Sequence, residues 1–220
     1  MDGWAALILA AGAGKRFGAA GGGGKLLTDL AGAPVIRRTA QAVLRAGFGE
    51  VLVASGAEYR AIAAALEGLA CRIVRAPDWE EGMAASLRAG LAALGTAERG
   101  VFVFLGDMPL VPVELCAPLA ELASRAGYAA RPRVAGKPGH PAAFTRAALP
   151  DLARLTGDIG AAALLKGRKD GVAYLETDAA GAVLDIDTPD DLAAAERAWK
   201  ACATSATSES AISRGALPKP

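Results

Sequence analysis

"LILAAGAGKRFGAAGGGGKLL", residues 7–27, sets seven glycines, two lysines and one arginine directly behind a short apolar run. Glycine-rich turns after a strand hold phosphate in several unrelated chemistries, and spacing separates them. A P-loop needs GxxxxGK followed by Ser or Thr, so that a hydroxyl reaches Mg2+. Here position 19 is alanine and Leu26 follows Lys25, so the match fails at both ends. A dinucleotide fold needs GxGxxG and a carboxylate at the end of the second strand. The chain offers Gly12, Gly14 and then Phe17, and its second apolar run ends Ala54-Ser55-Gly56. What remains is LAAGxGxRxG followed by a lysine. Gly12 and Gly14 let backbone N–H groups wrap a polyphosphate without side-chain collision. Arg16 brings a planar fork for phosphate oxygens and Lys25 a compact charge, the cations a leaving pyrophosphate needs. The six residues between Gly18 and Lys25 read as an expanded, flexible spacer.

The rest of the chain fits a single folded domain. It has 220 residues, 53% of them apolar, enough for one sizeable core. Net charge is +1 with basic residues scattered, which excludes the electrostatic footprint of a nucleic-acid or membrane-surface protein. Cys71, Cys116 and Cys202 have no metal-ligand or CxxC spacing and suit a reducing cytosol, so a cytoplasmic location is expected. The N-terminal apolar stretch runs straight into the glycine loop and reads as a buried strand, not a signal peptide.

Apolar runs without alternation at residues 4–9, 51–54, 72–74 and 101–105 are the habit of strands buried on both faces. Between them, residues 34–46, 58–69, 83–94 and part of 112–125 carry helical spacing, with Pro118 dividing or delaying the last. The alternation predicts an α/β fold, an open three-layer sheet with right-handed crossovers. Beyond residue 127 it weakens. A hairpin is expected around residues 136–139, with proline excluding a central strand. A helix at 159–165, strands at 172–175 and 183–186, and a helix opened by Thr188, Pro189, Asp190 and Asp191 follow. Residues 1–200 read as the domain, and 201–220 as a disordered Ser/Thr/Ala tail.

"LAAGAGKRFG…KLL", "GDMPLVP", "GHPAAF" and "DIDTPDDL" together resemble the MobA-like nucleotidyltransferases, more narrowly the branch of molybdenum-cofactor cytidylyltransferases. The resemblance covers about residues 4–198 and implies a three-layer, Rossmann-like nucleotidyltransferase fold with a mostly parallel sheet. By it, Leu9, Ala10, Ala11, Gly12, Gly14, Arg16 and Lys25 bind the nucleotide, and Arg16, Lys25 and Asp107 are catalytic. Asp107, just past a buried strand, is the implied principal Mg2+ ligand. Asp187 is the second carboxylate, with Asp185 as the alternate on the same side. Gly82 and Ser86 in "GMAASL" border the base or ribose. Trp79 reads equally as a packing residue or a wall of the pocket. His140, the only histidine, and Asp158 border the acceptor pocket by resemblance, although His140 also reads as a structural residue. Many relatives carry an arginine where this chain has Ala162.

The implied reaction is Mg2+-dependent transfer of a nucleoside monophosphate, CMP favoured, from a triphosphate to the phosphate of a molybdopterin-type acceptor, releasing pyrophosphate. A molybdenum hydroxylase is the implied recipient of the product. Ala11 favours CTP, because the guanylyl branch has "LAGG" and a methyl at this turn narrows the space for a purine. The alternatives are a sugar- or polyol-phosphate acceptor, a molybdopterin guanylyltransferase, or a non-catalytic maturation factor that binds cofactor.

Overall fold

The structure, a computed structural model, describes residues 1–12, 24–95, 99–166, 168 and 170–212, with side chains as far as 201. The elements run β1 (Trp4–Ala10), β2 (Asp29–Leu30), β3 (Ala33–Pro34), α1 (Val35–Arg45), β4 (Glu50–Ser55), α2 (Tyr59–Ala65), β5 (Arg72–Arg75), α3 (Met83–Ala92), β6 (Gly100–Leu105), α4 (Cys116–Ala126), β7 (Ala129–Val134), β8 (Lys137–Pro138), β9 (Ala142–Thr145), α5 (Leu149–Ala153), α6 (Ala161–Lys166), β10 (Val172–Glu176) and α7 (Pro189–Ile212). The main sheet has the order β10-β7-β9-β6-β1-β4-β5, with β8 paired to β7. All strands on that path run parallel except β9, which is antiparallel to both of its neighbours. This is the mostly parallel, three-layer α/β arrangement expected from the alternation of strands and helices.

The apolar runs do not alternate because each strand feeds two cores. Ala6, Ile8, Val51, Val53, Phe102 and Phe104 face one side, against Ile36 and Val43 of α1, Ile62 of α2 and Leu119 of α4. Leu7, Leu9, Leu52, Ala54, Val101 and Val103 face the other, against Leu87 of α3, Leu152 of α5 and Leu165 of α6. A third cluster of Leu30, Val35, Ile186 and Ala195 seats α7 on the β2–β3 ribbon.

Three local expectations are corrected. Pro132 does not keep its strand out of the sheet, because β7 lies between β9 and β10. The β7–β9 pairing ends at Ala130↔Ala143, and the Pro132 carbonyl accepts from the Gly139 N–H at 2.9 Å. N–H and C=O of one residue point the same way in a strand, so the missing N–H faces a side where no ladder bond is required. Residues 183–186 form no strand. Ala180–Val183 is a 3-10 turn, and the chain then crosses beyond the carboxyl end of β6. Finally, α7 continues to Ile212, through residues expected to be disordered from 201 onward. Alanines recur there without glycine or proline, and alanine is the strongest helix former.

Candidate active site

β1 is followed in space by β4 and β5 on one side, whereas β6 lies on the other. The chain direction therefore switches between β1 and β6, the place where open α/β sheets leave a crevice beyond their carboxyl ends. A cleft of about 770 Å³ opens there, within the usual range for a small-molecule site. Leu9, Ala10, Ala11, Gly12, Lys25, Gly82, Ser86, Asp107, Asp158 and Asp187 all line it, as do Trp79, Glu80, Glu81 and Met83. Gly14, Arg16 and the spacer residues 19–23 lie outside the described residues.

Asp107 is set by the backbone around it. The Gly106 N–H donates to the Leu9 carbonyl at 2.9 Å, carrying the β1–β6 pairing one step past the strand. The Gly106 carbonyl accepts from the buried Thr39 hydroxyl, also at 2.9 Å. Asp187 arrives from the far end of the chain. The Ile186 N–H donates to the Asp107 carbonyl at 3.1 Å, and the buried Ile186 side chain anchors the crossing. Beyond it a capping box opens α7. The Asp191 N–H donates to the Thr188 hydroxyl at 3.2 Å, while the Asp191 carboxylate accepts from the Thr188 N–H at 2.8 Å. The same carboxylate accepts from the Asp187 N–H at 3.2 Å, tying the site residue to the helix start.

Lys25 joins the two acids. Its Nζ lies 2.5 Å from Asp107 Oδ2 and 2.6 Å from Asp187 Oδ1. A 3-10 turn at Lys25–Leu27 and the buried Leu26 hold its backbone. Just ahead, the Gly24 N–H donates to Glu58 Oε1 at 2.8 Å. A Cβ at position 24 would come within 2.5 Å of that carboxylate, so Gly24 is an anchored residue packed against Glu58. Burial pushes the Asp107 carboxyl up from its ordinary range, with the Asp185 charge adding to the rise and Lys25 opposing it. Burial acts to lower the Lys25 pKa, yet the two carboxylates outweigh it and hold the ammonium above its usual value. Asp107 Oδ1 is buried and has no hydrogen-bond partner among the described residues. Asp185 does not line the cleft.

The opposite wall combines two segments far apart in sequence. Gly82 has φ +111°, and a Cβ there would meet the Gly157 carbonyl carbon and oxygen at 2.6 Å. Glycine at this position lets residues 157–158 close over the start of α3. There the Ala84 N–H donates to the Gly157 carbonyl at 3.2 Å and the Met83 N–H to Asp158 Oδ1 at 3.3 Å. Asp158 thus caps α3 while facing the cleft. Trp79 both lines the cleft and packs on Gly56, whose added Cβ would lie 2.4 Å from the indole. His140 is not brought to this wall. It is half-buried beside β6, with Nδ1 3.5 Å from the Val103 carbonyl, and burial together with Arg131 lowers its pKa to about 4. Thr39 and Glu58 were not singled out from the sequence. A polar residue on the otherwise apolar stripe of α1 is a readable signal for Thr39, and nothing local signals Glu58.

At the switch point the structure thus brings together a cleft of small-molecule size, Asp107 just past the end of β6, Asp187 on the crossing segment and Lys25 between them. Residues 6–173 match the MobA-like NTP transferase domain, and the chain belongs to that family. It is 31% identical over 194 residues to nicotine blue oxidoreductase of Paenarthrobacter nicotinovorans, covering 84% of this chain and 93% of that protein. Its fold is similar to that of Rv0371c from Mycobacterium tuberculosis H37Rv, with TM-score 0.76 and 29% identity over 88% of this chain and 97% of that one. Rv0371c has also been solved as a complex with manganese. A nucleotidyl transferase from Methanothermobacter matches with TM-score 0.78 and 26% identity, over 92% of this chain and all of that one. No described helix is long and apolar enough to cross a membrane.

Proposed function

We propose that the protein transfers CMP from CTP to the phosphate of a molybdopterin-type acceptor, with Mg2+, and releases pyrophosphate. The observation that carries the reading is the convergence of Asp107, Asp187 and Lys25 on one cleft. Among the described residues no group of three or more His, Cys, Asp or Glu side chains is arranged to hold a metal. Mg2+ asks for less, since it takes one or two carboxylates and completes its shell with water and phosphate oxygens. Asp107 Oδ1, buried and without a partner among the described residues, and the neighbouring Asp187 carboxylate fit that need. When bound, the ion supplies positive charge to the phosphate oxygens.

The chain's own groups do the rest. Gly12, with no Cβ, leaves room for phosphate against the backbone at the end of β1. Lys25 and Arg16 neutralise the charge that builds on the departing pyrophosphate. The acceptor's phosphate monoester is anionic near neutral pH and attacks the α-phosphorus without a strong general base. A cleft without histidine accords with that. The Ala11 methyl lines the cleft and favours the smaller pyrimidine.

A pyrophosphate-release screen over CTP, GTP, ATP and UTP, with and without molybdopterin, tests the proposal. CTP with molybdopterin is expected to be fastest, and preference for GTP overturns the base assignment. Asp107→Ala should abolish release with the circular dichroism spectrum unchanged, and retained activity removes Asp107 from the site. A second reading, a redox step, follows from the likeness to nicotine blue oxidoreductase. Turnover with reduced nicotinamide and none with any triphosphate favours it.

A further inference from the structure

Lys25 occupies the position that a cation shared by the two carboxylates would take. Its Nζ makes both contacts at once, 2.5 Å to Asp107 and 2.6 Å to Asp187, and among the described lining residues it is the only cation. Its backbone is held by the buried Leu26 and by the Gly24–Glu58 hydrogen bond, so the moving part is the four-carbon side chain. We propose that the Lys25 ammonium is a built-in placeholder for the divalent cation, and that it must leave the Asp107–Asp187 bridge before a metal ion can join the same two carboxylates. The inference rests on reading those two residues as the metal-holding pair.

The consequence is an order of events. A free metal ion competes with a tethered ammonium for the same oxygens, and an ammonium already in contact is favoured by its high local concentration. A triphosphate alters the balance, because it offers Lys25 new anionic partners and brings oxygens of its own to the metal. The cation and the triphosphate therefore enter together. Lys25 then moves from carboxylate to phosphate, one charge doing two successive jobs.

Mn2+ binding followed by electron paramagnetic resonance, without nucleotide, tests this on the full-length chain. Lys25→Met should bind Mn2+ about tenfold more tightly than the wild type, since the carboxylate pair is then free of its positive neighbour. Equal or weaker binding overturns the placeholder. A second measurement covers a variant that does not fold. In 15N-lysine spectra of the wild type, the ion-paired Lys25 ammonium signal should shift or vanish as Mg2+ saturates, and an unmoved signal at saturation overturns the proposal. If Mn2+ fails to bind wild type and Lys25→Met alike, even with a non-hydrolysable triphosphate, the metal-holding reading of Asp107 and Asp187 fails instead.

Discussion

Thr39 is a polar side chain on a buried helix face, and its hydroxyl satisfies the Gly106 carbonyl one residue before Asp107. Valine has the same shape and no donor, so Thr39→Val leaves that carbonyl unpaired away from water. The expected loss is about 1–3 kcal/mol of stability, read as a lower denaturant midpoint at unchanged slope. Turnover should fall further than stability alone explains, because the carboxylate beside the carbonyl loses its support. His140 makes a different prediction. Its folded-state pKa, about 4, lies below the ordinary 6.5, so between these values the unfolded chain holds a proton that the folded chain does not. Stability is therefore greatest above pH 6.5 and falls as the pH drops towards 4, by up to about 3 kcal/mol from this group. Thermal melts of His140→Gln across that window should lack this component.

At the scale of elements, the start of α7 decides where Asp187 points. Thr188→Ala removes the hydroxyl that accepts from Asp191 and donates back to its carboxylate. The cost should be about 1 kcal/mol, measured as a lower melting temperature, with a rise in KM for the triphosphate as Asp187 loses its register. Strands β1, β4, β5 and β6, with Asp107 and Lys25, were legible because buried apolar runs, a carboxylate at a strand end and a lysine behind a glycine loop carry their own signature. Asp107 after "VFVFL", and Lys25 ahead of "LL", are examples. Glu58 was not legible because it bonds the Gly24 backbone N–H, a group present at nearly every residue. Nor was the path of residues 183–186, whose apolar alternation suits a strand equally well. Only the tertiary crossing past Asp107 decides against pairing.

For the whole molecule, the site is a meeting of distant parts. Lys25 is separated from Asp107 by 82 positions and from Asp187 by 162, so it exists only when the complete sheet and α7 are in place. Ligand that binds only this assembled state must stabilise it. A non-hydrolysable CTP analogue with Mg2+, at a hundredfold excess over its dissociation constant, should add about 2.7 kcal/mol and raise the melting temperature. Asp187→Asn should cancel most of that rise while the melting of the protein alone changes little, because Asp187 is 45% exposed and its ion pair with Lys25 is correspondingly screened.

The Ile186–Asp107 contact bears on motion. The two carboxylates are spaced by one backbone hydrogen bond and not by a strand ladder. Separating the two would break no sheet pairing, but it would break that hydrogen bond, worth about 1 kcal/mol, and draw on the buried Ile186 side chain that anchors the crossing. One carboxylate is therefore placed by the sheet, just past β6, and the other by the packing of Ile186 and the start of α7.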